Sequence, residues 1–333
     1  MTADSTPEEL FTRLRGGDRA ALGRAITLIE STRPADRERA RALLQSCAGA
    51  RARAFRIGIT GIPGVGKSTL IDVLGMALVE AGHRVAVLAV DPSSVHSGGS
   101  ILGDKTRMER LSQHASAFIR PTATGGTLGG VARRTRETIL LCEAAGYDRL
   151  LIETVGVGQS ELDVDRMSDL NVLLMIAGAG DELQGIKRGI METADVVVLT
   201  KVDGEGRDRA QMAARDLQNA IHLLPLRHSG RHPEVMLVSA LSGEGIPGLK
   251  DHVEQLLQGA ESSGLLAARR SQQNLHWMHR SMVDGLRDRL EQDAPVRALR
   301  DALEQQVAAG TLSPFDAAEQ VVALFRTDGA PRP

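Results

Sequence analysis

Residues 61–69 of this 333-residue chain read Gly61-Ile62-Pro63-Gly64-Val65-Gly66-Lys67-Ser68-Thr69. They match the Walker A pattern, in which glycines let backbone N–H groups turn inward around a phosphate and the following helix adds its positive end. An apolar run precedes the loop and a helical run, 70–79, follows it. A glycine-rich turn that merely begins a helix is disfavoured because strand, Lys67, Ser68 and helix are all in register. The sequence therefore predicts a phosphate-binding loop, with Lys67 on the β and γ phosphates and Ser68 on Mg²⁺.

Short β-rich runs alternate with helical stretches on both sides of this loop. The predicted strands cover 55–60, 84–90, 149–154, 171–177, 195–200 and 235–239. Apolar strands separated by helices are typical of a doubly wound, mostly parallel α/β sheet, whose ligands lie outside the carboxyl ends of the strands. We predict an N-terminal helical segment over 1–54, a P-loop domain over 55–255 and a C-terminal helical segment over 256–333.

Both flanking segments carry helix signals. At the N-terminus, Thr6-Pro7-Glu8-Glu9 fits a capping box with proline at the first helical position, and Asp18 is placed to cap a second helix. A third helix is expected over 35–47, and Ser313-Pro314 opens the last helix of the chain. A long pattern over 265–292 aligns an apolar stripe made of Leu275, Met278, Met282, Leu286 and Leu290. Periodicity alone favours a core role for this stripe over a dimer seam and leaves both open.

The composition is that of a globular protein with an aliphatic core: 42% hydrophobic, 25% charged and 2% aromatic residues. The formal net charge of -2 gives no overall attraction to nucleic acid or anionic membrane, and neither partner is expected. Cys47 and Cys142 form no CxxC pair and suggest no disulfide framework. The N-terminus lacks an apolar signal segment, and the longest apolar run, near 172–177, is too short to span a membrane. These features predict a cytoplasmic protein.

Two further strand ends carry residues that suit guanine. Thr200-Lys201-Val202-Asp203 matches the Asn/Thr-Lys-x-Asp motif of GTPases. Asp203 can accept from guanine N1–H and the exocyclic amine together, a pair of donors that adenine lacks, and Lys201 would lie along the ring. Ser239-Ala240-Leu241 fits the loop whose backbone N–H contacts guanine O6. Each match is weak alone, but their order after the Walker A loop favours GTP over ATP.

Three carboxylates are candidates for the Mg²⁺ site and for positioning the attacking water. Asp91 and Glu153 end the second and third predicted strands, and Asp104 lies in a glycine-rich loop between them. Mg²⁺ takes oxygen ligands and usually only one or two carboxylates, so the remaining carboxylate could position water. A capping or turn role is the alternative for each of them, most of all for Asp104.

Two glycine-rich segments follow predicted strands and resemble nucleotide switches. Gly156 and Gly158 allow the backbone to approach the γ-phosphate and to reorganise when it leaves. Residues 178–188 include Lys187 and follow the next strand. On physical grounds alone this second segment is better read as a helix with acidic residues early and basic residues late, as the helix dipole prefers.

The chain resembles the MeaB-type G-protein chaperones, the family that includes the methylmalonic aciduria type A protein. The similarity is carried by the runs 61–69, 89–94, 98–108, 126–131, 153–161 and 178–189. The resemblance covers most of the chain, including both helical flanks. Older annotation of related proteins describes ArgK, an arginine/ornithine transport kinase.

This resemblance implies a SIMIBI-class P-loop fold and a homodimer with the C-terminal helices as its dimerisation arm. It implies a GTPase whose GTP binding and hydrolysis gate adenosylcobalamin loading and protect an acyl-CoA mutase, most often methylmalonyl-CoA mutase. Asp91, Asp104 and Glu153 match the Mg²⁺ and switch carboxylates of the family. Residues 178–189 match its third switch, so Lys187 becomes a candidate catalytic residue that completes the site when the mutase binds, against the helix reading above.

One departure from the family and two competing functions remain. Relatives carry Asn where this chain has Thr200, which can replace part of the tie between base loop and P-loop. Guanine affinity could therefore be lower, whereas specificity rests on Asp203. A kinase linked to arginine/ornithine transport is one alternative, although no acceptor-substrate site is evident. A metallochaperone GTPase of the urease or hydrogenase maturation type is the other, and the Cys/His ligands usual near its nucleotide site are not found.

Overall fold

The computed structural model of this protein describes residues 6–31, 33–49, 53–90, 108–122, 128–154, 160–176, 188–203, 207–227 and 229–327. Within these ranges the chain divides between Gln273 and Asn274 into two compact units. The first unit contains the sheet and the N-terminal helices. The second unit contains the end of one long helix and the two helices that follow it.

Three helices precede the sheet: α1 (Pro7–Arg15), α2 (Arg19–Glu30) and α3 (Pro34–Gly49). The predicted capping box is confirmed, because the Thr6 hydroxyl accepts from the Glu9 backbone N–H at 3.2 Å and the Glu9 carboxylate accepts from the Thr6 N–H at 3.1 Å. The Asp18 carboxylate caps α2 by accepting from the Ala21 N–H at 3.0 Å. These side chains satisfy helix N–H groups that have no partner within the helix, which fixes where α1 and α2 begin.

The described residues form one sheet of seven strands in the order β3-β2-β4-β1-β5-β6-β7, and every neighbouring pair is parallel. The strands are β1 (Phe55–Gly61), β2 (Val85–Val90), β3 (Ala117–Thr122), β4 (Arg149–Thr154), β5 (Leu170–Ile176), β6 (Val196–Thr200) and β7 (Glu234–Leu237). The order reverses at β1, which lies between β4 and β5. Such a reversal places a ligand crevice beyond the carboxyl end of β1, where the Walker A loop begins.

The doubly wound parallel sheet is thereby confirmed, together with six of its strands. The sequence reading missed β3, whose six residues read Ala-Phe-Ile-Arg-Pro-Thr. Arginine and proline interrupt the apolar pattern there, and proline cannot donate to a ladder. The structure tolerates Pro121 because β3 lies at the edge of the sheet and pairs with β2 alone.

Helices connect these parallel strands and cover the sheet. They are α4 (Lys67–Glu80), α5 (Glu109–Gln113), α6 (Leu128–Ala144), α7 (Ser160–Asp165), α8 (Arg188–Thr193), α9 (Arg207–Ile221), α10 (Ile246–Ser262) and the start of α11 (Leu265–Gln292). A large apolar cluster joins β1 and its neighbouring strands to α4 and α10, and nearly all its side chains are Ile, Leu and Val. This aliphatic core agrees with the low aromatic content of the chain.

The amino-terminal end of β1 carries a charged pair inside the protein. The Arg56 guanidinium lies 2.6 Å from the Glu143 carboxylate of α6, and each side chain is only 1% exposed. Nearby, the Asp169 carboxylate accepts from the Arg56 backbone N–H at 2.8 Å and from the Arg270 guanidinium at 2.5 Å. Because an isolated charge is costly in such surroundings, each ion here depends on its partner.

The second unit consists of the end of α11 together with α12 (Ala294–Ala308) and α13 (Pro314–Thr327), and α12 packs against α13. The predicted start of α13 is confirmed, since the Ser313 hydroxyl accepts from the Phe315 N–H at 3.2 Å. On α11 the side chains of Leu275, Met278, Met282 and Leu286 are 50–58% exposed. The reading of this stripe as core is therefore wrong for the single chain, because periodicity records an apolar face but not what covers it.

Among the described residues, no helix combines the length and apolar character that crossing a bilayer would require.

Candidate functional site

The Walker A residues form a tight loop between β1 and α4. Gly61, Gly64 and Gly66 have φ angles of +150°, +77° and +100°, which side chains with a Cβ rarely adopt. At Gly61 a Cβ would also lie 2.6 Å from the carbonyl oxygen of Leu174 on β5. These glycines let the chain turn sharply at the carboxyl end of β1 and lead directly into the amino end of α4. A cradle of backbone N–H groups at a helix N-terminus suits phosphate.

Lys67 opens α4 and folds back over the loop. Its side chain is almost wholly buried, with the residue 7% exposed. The Nζ atom donates to the carbonyl oxygens of Gly61 and Ile62 at 2.7 and 3.0 Å. The ammonium group is thus held against the loop, from which a short movement of the flexible side chain would carry it to a bound phosphate.

Ser68 and Glu153 come together from different parts of the chain. The Ser68 hydroxyl at the start of α4 donates to Oε1 of Glu153 at 3.0 Å. Glu153 lies at the end of β4, beside β1, and is buried. The pair is the described part of the predicted Mg²⁺ set. A hydroxyl and a carboxylate are hard oxygen donors, which fits Mg²⁺ rather than a softer metal.

The segment predicted to read the base is tied to the Walker A loop by two side chains. The Thr200 hydroxyl at the end of β6 donates to the Val65 carbonyl oxygen at 2.8 Å and lies 3.3 Å from that of Met175. Lys201 has an unusual positive φ of +58°, and its Nζ donates to the Gly64 carbonyl oxygen at 2.9 Å. Backbone strain of this kind is found where a side chain must be held in one place. The two loops are therefore parts of one site.

The last two residues of this segment, Val202 and Asp203, differ in their exposure to solvent. Val202 is buried and belongs to the apolar cluster around α9, so it anchors the loop to the protein. Asp203 is exposed to solvent. An exposed carboxylate beside an anchored, strained backbone is free to accept hydrogen bonds from a ligand.

The loop after β7 is held by its own serine. Ser239 is buried, its N–H donates to the Glu244 carbonyl at 2.9 Å, and its hydroxyl accepts from the Ser242 N–H at 3.1 Å. Within the described part of the chain the N–H groups of Ala240 and Leu241 have no such acceptor. Ser239 therefore shapes the loop, and the predicted contact of Ala240 or Leu241 with guanine O6 stays a prediction.

An ion pair that sequence reasoning missed joins the segments that follow β6 and β7. The Arg207 guanidinium, at the start of α9, lies 2.6 Å from the Glu244 carboxylate, and both side chains are about half exposed. An exposed pair of this kind adds little to stability. Nothing in the local sequence marks it, because the partners are far apart along the chain and meet only through the fold.

Several predicted residues lie outside the described ranges. They are the carboxylates Asp91 and Asp104, the switch glycines Gly156 and Gly158, and Lys187. The described site therefore consists of the Walker A loop with Lys67 and Ser68, Glu153, the segment from Thr200 to Asp203, and the loop after β7.

Known proteins are similar in sequence to most of this chain. The family model described as "Methylmalonyl Co-A mutase-associated GTPase MeaB" matches residues 22–294. A probable GTPase of Mycobacterium tuberculosis is 54% identical over 321 residues, covering 96% of each chain. The mitochondrial "Methylmalonic aciduria type A homolog" of Mus musculus is 46% identical over 330 residues, covering 96% of this chain and 80% of that protein.

A solved structure agrees with these relatives. The crystal structure of a protein named LAO/AO transport system kinase has a TM-score of 0.75 and 34% sequence identity, covering 98% of this chain and 99% of that one. The similarity thus extends over nearly the full length of both chains.

Proposed function

This chain belongs to the MeaB family of P-loop GTPases, and we propose that its GTP binding and hydrolysis gate the loading of adenosylcobalamin into an acyl-CoA mutase and protect that mutase. Methylmalonyl-CoA mutase is the first candidate, since the family description and the name of the mouse relative both refer to methylmalonate chemistry. The observation that carries the nucleotide part of the proposal is the direct bond from Thr200 to Val65, which joins base loop and phosphate loop.

The phosphates are bound by the Walker A loop. Backbone N–H groups between Gly61 and Thr69 surround the β-phosphate, and Lys67 exchanges the carbonyl oxygens of its own loop for β- and γ-phosphate oxygens. Ser68 and one or two of the carboxylates Glu153, Asp91 and Asp104 would hold Mg²⁺, which would neutralise charge on the phosphates. Of the carboxylates, the one that does not hold the ion positions the attacking water.

The base is read by the two loops that follow β6 and β7. Asp203 accepts from guanine N1–H and the exocyclic amine, and the backbone N–H of Ala240 or Leu241 donates to O6. Lys201 places its aliphatic stem along the ring while its ammonium group holds Gly64. Adenine would face Asp203 with an acceptor and a C–H, so the site favours GTP over ATP.

Dimerisation is assigned to the apolar stripe on α11. Four of its large side chains are about half exposed in the single chain, and contiguous apolar surface of this kind marks a protein interface. A second copy of the chain is the proposed occupant, and the cytoplasm is the proposed compartment. Sedimentation velocity would test the dimer: Met282→Glu should shift a dimer of the wild type to a monomer.

A kinase function is a second candidate only because of the name of the similar crystal structure. The two functions differ in where the γ-phosphate goes. With γ-labelled GTP, a GTPase releases the label as inorganic phosphate at every enzyme concentration. Stoichiometric transfer of label to a protein or to arginine would favour the kinase.

The chaperone proposal is tested by binding to the mutase. We expect purified chain and the acyl-CoA mutase of the same host to sediment as a complex whose affinity differs between GDP and a non-hydrolysable GTP analogue. A cobalamin-dependent enzyme that does not act on acyl-CoA serves as the control. Absence of a complex in every nucleotide state would contradict the proposal, while unaltered GTP hydrolysis would leave the family assignment intact.

A further inference from the structure

A cavity of about 360 Å³ lies at the end of the sheet opposite to the nucleotide loops. It is lined by residues at the amino ends of three strands: Leu170 begins β5, Asp195 precedes β6 and Glu234 begins β7. The base loop follows the carboxyl end of β6, whose five residues extend roughly 16 Å. The cavity is thus separate from the nucleotide site, and its size is within the range of pockets that bind small molecules.

The floor of the cavity is aliphatic. Leu170, Leu257 and Leu266 are almost fully buried around it, and Leu256 and Ala260 of α10 complete one wall. These side chains would contact an apolar ligand body. They offer no hydrogen bonds, so any selection by charge has to come from the rim.

Two of the three carboxylates that line the cavity are already engaged by arginines. The Asp195 carboxylate accepts from Arg227 at 3.0 and 3.2 Å, and Asp169 is held by Arg270 at 2.5 Å. Glu234 lies 3.4 Å from the His252 ring and is otherwise largely exposed. A cationic ligand would therefore have to displace an arginine from Asp169 or Asp195, which is costly, or bind at the exposed Glu234 alone.

Some hydrogen-bond donors that line the cavity have no acceptor in the described part of the protein. Among the described residues, the Arg231 guanidinium has no hydrogen-bond or ion-pair partner, and the buried Nδ1 atom of His232 has none either. A buried polar atom without a partner points to a bound water, ion or ligand. The first turn of α11, at Leu265 and Leu266, also lines the cavity and adds the positive end of a helix dipole.

We propose that this cavity binds a small aliphatic carboxylate. Its anionic head lies between Arg231 and His232, and its hydrocarbon body packs on the leucines of the floor. Arg231 supplies paired N–H donors that match a carboxylate, and His232 donates from Nδ1. Binding here requires neither GTP nor a mutase, so the proposal stands apart from the function proposed above.

Calorimetry with hexanoate, 1-hexanol and hexylamine tests the charge preference. The expected Kd for hexanoate is on the order of 1 mM, as suits so small a probe, and at least about tenfold lower than for the neutral and cationic analogues. Equal affinity for all three compounds would overturn the proposal, because the cavity would then not discriminate between ligands by charge. Absence of saturable hexanoate binding would also overturn it and leave the cavity as a site for water.

Three variants locate the binding. Arg231→Gln removes an exposed, unpartnered cation and should raise the hexanoate Kd about tenfold. Ala260→Phe fills the cavity from α10 and should abolish binding. Arg24→Gln changes another exposed arginine, on α2, and should have no effect. Unchanged nucleotide affinity in each variant shows that the fold is kept; loss of hexanoate binding in Arg24→Gln, or retention in both other variants, would overturn the assignment.

Discussion

The Thr200 hydroxyl donates a 2.8 Å hydrogen bond to the carbonyl oxygen of Val65, which lies 135 residues earlier in the chain. Both residues are buried, and the bond joins the end of β6 to the phosphate loop. The position of each loop is therefore constrained by that of the other.

Thr200→Val removes this bond while keeping the shape of the side chain. A lost hydrogen bond that leaves a buried carbonyl unpaired costs about 1–3 kcal/mol, so GDP affinity should fall about fivefold or more. Thr200→Ser is the matched control, because it keeps the hydroxyl and should stay within about twofold of the wild type. Calorimetry with GDP measures the affinity of both variants. Equal affinity of the valine variant and the wild type would mean that the bond from Thr200 to Val65 does not support nucleotide binding.

Lys67→Ala removes the cation at the mouth of the phosphate cradle. Charge-assisted contacts to phosphate are among the strongest in a site, so affinity for GDP and GTP should fall at least about tenfold, or about 1.4 kcal/mol. Lys250→Ala on α10 controls for the loss of a lysine elsewhere and should leave affinity unchanged. A Lys67 variant that binds both nucleotides like the wild type would rule out the phosphate-loop assignment.

Asp203→Asn is expected to exchange the base preference. Xanthine carries an oxygen at C2 where guanine has an amine, so an aspartate faces that oxygen repulsively whereas an asparagine amide donates to it. Each mismatched group costs about 1–3 kcal/mol, which should invert the preference from GTP to XTP. Affinities for GTP, XTP and ATP in both proteins provide the test. A variant that still prefers GTP would mean that another residue reads the base.

For the buried pair of Arg56 and Glu143, we expect the loss of one partner to destabilise the protein more than the loss of both. Glu143→Gln leaves the guanidinium without a counter-charge and should lower the free energy of unfolding by about 3 kcal/mol. The double change Arg56→Met with Glu143→Leu removes both charges and should recover much of that loss. Removing the exposed pair Arg287–Glu291 should cause no measurable change. Urea denaturation measures the free energy of unfolding of all three variants. A Glu143→Gln variant as stable as the wild type would contradict the burial of the pair.

Much of the fold followed from the sequence because its signals are local. The glycines of the Walker A loop, the apolar strands and the Thr6 and Asp18 caps each encode their own backbone geometry. The features that the sequence reading missed depend on partners distant in the chain. The strand β3, for example, forms despite Pro121 because only β2 pairs with it. The α11 stripe is apolar at helical spacing whether it meets a core or another chain.

At the candidate site, too, local motifs were predictable whereas contacts between distant residues were not. Motif order predicted which loops meet, and the bond from Ser68 to Glu153 agrees with that order. The hydrogen bonds of Ser239 within its own loop and the pair Arg207–Glu244 could not be predicted, because both depend on where backbone and side-chain groups point after folding. The roles of Asp91, Asp104 and Lys187 stay predictions.

Partner-dependent hydrolysis is the most direct test of the central proposal, that this GTPase serves an acyl-CoA mutase. The kcat for GTP should be low for the chain alone and should rise at least about tenfold when the mutase of the host is added, since the partner orders the glycine-rich switches and places charge on the transition state. Lys187→Ala should blunt that rise more than it lowers the intrinsic rate. A kcat that no acyl-CoA mutase of the host alters would contradict the proposal.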